Sequence, residues 1–178
     1  AADELQRRGI QVTVSENTTV LRIPNELLGF DTGEDDIQQQ YADVAGEIGL
    51  VLYNTITKNN RAQYLDTIFV EGHTDIRPFS GSLCGDKGNW CLSAFRAISL
   101  WQYWQNALAE DKQLAGLTNA EKQPLFSVSG YAATRPVTET QRSQEDFRRN
   151  RRIDIRLTIR RPSSTDYEKI RKQMELKP

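Results

Sequence analysis

Between Arg152 and Arg160 the chain alternates without a break: Ile153, Ile155, Leu157 and Ile159 stand between Arg152, Asp154, Arg156, Thr158 and Arg160. Side chains of an extended strand point to opposite faces in turn, so a period of two puts all four aliphatic residues on one face. A strand of this kind belongs in a sheet whose apolar face meets a second packed layer. Its charged residues are expected on a solvated outer face, and Pro162 ends the strand.

The covering layer is legible upstream. Ile37, Tyr41, Val44, Ile48, Val51 and Thr55 recur at steps of three and four, which predicts an amphipathic helix over 34–57. Glu34, Asp35 and Asp36 in its first turn complement the helix dipole, and Lys58-Asn59-Asn60 ends it. Before it, Ile10, Val12 and Val14 read as a half-buried strand, Glu16-Asn17 as a turn, and Thr18 to Ile23 as a second strand closed by Pro24. Leu65 to Val70 continues as a strand bounded by Gly72, and a helix follows from about Asn89 to Asp111. Residues 112–124 form a polar connector, Leu125 to Tyr131 a strand, Ala132 to Glu139 a loop, and Gln141–Phe147 a short polar helix. The order β-β-α-β-α-β-α-β predicts an α+β fold, an α/β sandwich with helices on a mixed sheet. The domain is expected over 10–162, with 1–9 a linker or helix end and 163–178 a charged tail.

With 178 residues, one domain of ordinary core size is expected. The mean hydropathy of −0.62 describes a polar surface. A net charge of −1 argues against a nucleic-acid partner, which usually meets a clear positive excess. The arginines at 148, 149, 151, 152, 156, 160 and 161 form a basic cluster, but several alternate on the outer face of a strand, which is a normal solvated pattern. No apolar run approaches the roughly 20 residues that span a bilayer.

Functional residues concentrate between Ile68 and Ala97, IFVEGHTDIRPFSGSLCGDKGNWCLSAFRA, which holds the single histidine and both cysteines. Asn89 is a candidate helix N-cap. Asn89, Ser93 and Arg96 follow i, i+4, i+7 and form a polar stripe, while Ala97, Ile98, Trp101, Trp104 and Leu108 cluster roughly 100° around the helix. The stripe can therefore face a groove at the strand end, where Asp75 stands. An acid and an arginine converging there suit a zwitterionic ligand, although a structural salt bridge gives the same spacing. Three chemistries are open to Cys84 and Cys91: a disulfide, a zinc site completed by His73, or a thiol nucleophile with His73 as base. A C-x6-C spacing is not a familiar zinc pattern.

The words GHTD, NWxLSAxRA (Asn89 to Ala97), Gly130-Tyr131 and Asn150-Arg151-Arg152-Ile153 together resemble the OmpA C-terminal-like peptidoglycan-binding domain. The wording is most similar to MotB-type stator subunits, whose relatives include the ZorB subunit of Zorya antiphage systems. The resemblance covers about half the chain, from Phe69 to Ile159, and Leu27 to Gly33 resembles the family's FDxG segment beside the ligand groove. It implies a βαβαβ core with an added N-terminal β-hairpin. It further implies a non-enzymatic periplasmic domain of a single-pass inner-membrane protein that anchors an ion-driven, flagellar or antiphage complex to the cell wall. Asp75 matches the acid that takes the ammonium of diaminopimelate in the stem peptide, and Arg96 the arginine that takes its carboxylate. Asn89 and Arg151 match further contacts, Thr74 shapes the loop with a backbone contact open to it, and His73 is scaffold. No cofactor or metal is implied. A homodimer and a membrane-embedded motor subunit, reached through an upstream transmembrane helix, are the implied partners. In an exported chain the Cys84–Cys91 disulfide is expected. The competing readings are a lipoprotein or outer-membrane tether, and a zinc- or cysteine-dependent hydrolase using His73, Cys84 and Cys91.

Overall fold

A computed structural model describes residues 1–15, 17, 19–30, 36–81 and 84–175. Five strands form one mixed sheet: β1 (Thr13–Val14), β2 (Val20–Pro24), β3 (Leu65–His73), β4 (Phe126–Gly130) and β5 (Arg152–Ile159). Their order in space is β1-β2-β5-β3-β4, with only β3 and β4 parallel. The helices are α1 (Ala2–Arg7), α2 (Ala42–Thr57), α3 (Gly88–Ala107), α4 (Gln144–Asn150) and α5 (Ser164–Glu175). This is the expected α+β architecture.

The first half of the β5 alternation does what its period dictates, while Leu157 is only partly buried and Ile159 is exposed at the strand end. Ile153 and Ile155 are buried with Ile68 and Val70 of β3 and Leu21 and Ile23 of β2, facing Ala45, Ile48, Leu52, Ala97, Leu100 and Trp104 of the two long helices. Trp104 is fully buried, and its indole N–H donates to the Ala45 carbonyl at 2.7 Å, which fixes α3 against α2. Leu5 of α1 joins the same core.

Several boundaries differ from the sequence reading: β1 is confined to Thr13–Val14, α3 stops at Ala107 and α4 runs from Gln144 to Asn150. The helix expected from residue 34 begins at Ala42, because Gln38 is extended and Gln39–Tyr41 form a 3-10 turn. Ile37 still packs on the core from the irregular segment before it. The expected acidic first turn at Glu34 and Asp35, the Glu16 turn, Thr18 and the Asp31-Thr32-Gly33 part of the groove-bordering segment lie outside the described residues. Asn89 does not cap α3. The helix starts at Gly88, and Lys87 at its N-cap position makes no side-chain capping bond.

The larger correction concerns the outer face of β5. Arg152 and Asp154 are buried, not solvated. The strand register places Arg22, Asp154 and Glu71 in one cross-strand row. Two acids directly opposite would repel, so the row is stable only with cations supplied. Arg22 and Arg152 hydrogen-bond Asp154 at 3.2 and 3.1 Å, and Arg156 holds Glu71 at 2.8 Å. Arg152 also donates to the Arg135 carbonyl of the 131–143 loop, so that loop covers this end of the sheet.

Candidate functional site

The site lies at the C-terminal end of β3, where α3 comes unusually close. Gly72 of β3 and Gly130 of β4 are register partners. A Cβ on Gly72 would lie 1.8 Å from the Ser93 carbonyl oxygen, and one on Gly130 would lie 2.6 Å from the Ala94 nitrogen. Only glycine permits this approach. Ser93 is buried there, donating to the Trp90 carbonyl and accepting from the Ala132 N–H at 3.0 Å. Ala132 is held in the left-handed region at φ 48°, and its carbonyl accepts from the Thr74 N–H at 2.9 Å. Ser93 therefore pins helix to loop instead of facing the groove.

The other predicted residues do converge. Thr74, Asp75, Asn89, Arg96 and Arg151 line one cavity of about 250 Å³, with Arg77, Pro78, Phe79 and Leu92. Asn89 reaches it from the first turn of α3, donating to the Asp75 and Arg77 carbonyls at 3.3 and 2.9 Å. It thereby ties the loop after β3 to the helix. Arg96 is buried, with its guanidinium 5.4 Å from the Phe30 ring centre. The Thr74 hydroxyl is buried without a hydrogen-bond partner among the described residues.

Asp75 holds a pair of arginines, one of which the sequence reading did not single out. Arg77 forks onto it, Nε to Oδ1 at 2.9 Å and Nη2 to Oδ2 at 2.8 Å, while its backbone N–H also donates to Oδ1. Arg151 donates to Oδ2 at 2.8 Å. Burial alone would raise the Asp75 carboxyl, but the bonds from Arg77 and Arg151 outweigh it and hold it below the ordinary carboxylate range. The groove thus presents a fully ionised acid with its acceptors engaged. The signal for Arg77 was its place two residues after the acid, within reach of an Asx turn.

His73 does not enter the groove. It stacks on Tyr131 and lies with Nε2 3.5 Å from Asp154 Oδ2 and 3.9 Å from Glu71 Oε2. Burial lowers its pKa despite the adjacent acids, so the imidazole is neutral. Burial pushes Glu71 up, yet His73 and Arg156 beside it bring it down to about 2. Donor atoms of Glu71, His73 and Asp154 lie within 4.8 Å of one another, a span that a metal ion could bridge. Both carboxylates already hold guanidiniums, however, so a dication would sit among three positive charges. The cluster is a charge-compensated brace between strands. Cys84 and Cys91 form a disulfide with Cα atoms 5.6 Å apart, as expected, and it removes both thiols from the zinc and nucleophile readings.

No protein-family model matches the chain, and no curated protein sequence does. Solved structures do. The periplasmic domain of Helicobacter pylori MotB, residues 90–256, superposes with a TM-score of 0.62 at 22% identity over 98% of this chain and 94% of that one. A putative MotB-like protein from Desulfovibrio vulgaris gives 0.61 at 22% identity over 89% of both chains. The cell wall anchor of the T6SS from Pseudomonas aeruginosa gives 0.58 at 21% identity over 89% of this chain and 94% of that one. This chain has the α+β fold of the MotB periplasmic domains and of a T6SS cell wall anchor.

Proposed function

We propose that this chain is a periplasmic peptidoglycan-anchoring domain whose groove grips the diaminopimelate of the stem peptide. One observation carries the reading: residues distant in sequence, Thr74 and Asp75 after β3, Asn89 and Arg96 on α3, and Arg151 before β5, line a single cavity. The ligand's ammonium goes to Asp75 and its carboxylate to Arg96, whose planar fork matches a carboxylate in two bonds. No bond is made or broken, and the domain binds without catalysis. The folds of the MotB periplasmic domains and of the T6SS cell wall anchor support the anchoring role. On this reading the domain acts as a homodimer that holds a membrane-embedded, ion-driven stator complex to the wall, in a flagellar or an antiphage setting. Among the described residues no helix is long and apolar enough to cross a membrane, so attachment to that complex falls to another segment or partner.

Asp75→Ala and Arg96→Ala are each expected to lose most binding to diaminopimelate-containing sacculi in a pull-down. Both should still fold, with Asp75→Ala costing no more than about 2 kcal/mol, because the guanidiniums it releases reach solvent. Arg96→Lys should also bind poorly, since an ammonium cannot make the paired contact. Retained binding in both alanine variants would sink the proposal. Loss of binding that tracks loss of fold would make the pair structural.

A further inference from the structure

Asp75 cannot receive an ammonium without giving something up. Arg77 occupies both of its carboxylate oxygens, and Arg151 shares one of them. Of these two partners Arg77 is the easier to displace, with its side chain 41% exposed against 21% for Arg151. Its Cζ also lies 4.7 Å from the Phe147 ring centre. A cation over an aromatic face keeps that attraction while its hydrogen bonds change partner, so the guanidinium can turn without leaving the groove. An arginine that loses its anion at this half-exposed position forfeits one charge-assisted pair unless another anion replaces it.

We propose that the groove selects a ligand with two carboxylates beside its ammonium, and that Arg77 receives the second. The inference rests on the diaminopimelate reading above. In the exchange the ammonium replaces Arg77 on Asp75, one carboxylate goes to Arg96, and the released Arg77 pairs with the other. Each charge that loses a partner gains one. A ligand with a single carboxylate binds only by leaving Arg77 to solvent, and binds more weakly for it. A stem peptide offers two sources of this second acid: the terminal carboxylate of diaminopimelate, or the α-carboxylate of the adjoining γ-linked glutamate.

Calorimetry on the intact domain separates them with three synthetic peptides. One is Ala-γ-Glu-diaminopimelate with its acids free, one has the glutamate α-carboxylate amidated, and one has the terminal diaminopimelate acid amidated. The wild-type domain is expected to bind one of the two amidated peptides about five- to tenfold more weakly than the parent, the loss of one charge-assisted pair at a half-exposed position. In Arg77→Ala, and in Arg77→Gln, that difference should vanish. Equal penalties in wild-type and variant proteins would overturn the inference, as would no penalty for either amidation in the wild type. Tighter binding of the parent peptide by Arg77→Ala would do so too, since Arg77 would then only compete for Asp75. If the folded wild type binds none of the three peptides, the diaminopimelate reading fails first, and this inference with it.

Discussion

A single methyl group at Gly72 tests whether the site depends on the close contact of α3 with the sheet. In Gly72→Ala the new Cβ would lie 1.8 Å from the Ser93 carbonyl oxygen and 2.7 Å from its carbonyl carbon. Both atoms are backbone, so no rotamer change relieves the clash, and the helix has to move outward by more than an ångström. Overpacking of this kind costs about 2–3 kcal/mol. For a chain of this length that corresponds to a fall in melting temperature of about 5–10 °C. The movement would also carry Asn89 and Arg96 away from Asp75, so peptide binding should weaken at temperatures where the variant is fully folded. Gly116→Ala is the matched control. It ends a 3-10 turn, an added Cβ meets nothing within 4 Å, and its φ is not positive. That change should leave stability unchanged or raise it by up to about 1 kcal/mol. Thermal denaturation of both variants, with calorimetry at 25 °C, decides the matter. Gly72→Ala melting within about 2 °C of the parent would refute the argument.

Acid should weaken the fold through His73. Its pKa is lowered in the folded state, so below its ordinary 6.5 the unfolded chain takes up the proton first, and the stability present above that pH declines as pH falls. Melting curves from pH 7.5 to 5.5 should show this slope in the parent and not in His73→Gln; an unchanged slope in the variant would place the titration elsewhere. Glu71 acts lower, contributing above its ordinary 4.5 and losing that contribution as pH falls toward about 2, so acid unfolding in that range should persist in His73→Gln, reduced to the part that Arg156 supplies. Replacing Cys84 and Cys91 together by serine should cost about 2–3 kcal/mol, the loop-closure value for a bond spanning 7 positions. A double-serine variant as stable as the oxidised parent would show that the loop is held by its other contacts alone.

The residues that could be read from sequence were those whose periodicity or wording is local. The aliphatic side of β5 and the stripe of α2 follow from spacing alone, and Asp75, Asn89, Arg96 and Arg151 follow from short motifs. The charged side of β5 was misread because alternation reports that two faces differ, not what covers each. Arg152 and Asp154 are buried by the 131–143 loop and by cations from another strand, and neither is visible in the local pattern. Glu71 likewise stands in an apolar run, and only strand register shows that it faces Asp154 and needs Arg156. Asn89 sits where a cap would sit, yet its amide serves the loop across the groove. Arg77 stands two residues after the acid, a spacing that suggests a local turn but not that the guanidinium fork closes on Asp75.

The order Asn150-Arg151-Arg152 explains why one side of the groove is rigid. Asn150 is fully buried, accepting from the Val137 N–H at 2.7 Å and donating to the Thr138 hydroxyl at 2.8 Å. Arg152 is buried on Asp154 and the Arg135 carbonyl. With both neighbours anchored beneath the 131–143 loop, Arg151 has little freedom and reaches Asp75 from the start of β5. Across the groove the contacts of Ser93 with Trp90 and Ala132 hold α3, and therefore Arg96, at a fixed distance from the strand. A recognition site benefits from groups positioned before the ligand arrives, because their ordering cost has already been met in folding. Arg77 is the exception, since it is the most exposed member of the Asp75 cluster and is tied to it by side-chain bonds that a ligand can replace. On the proposed reading, fixed charges on two sides and one exchangeable charge between them would let the ligand change a pairing without reshaping the fold.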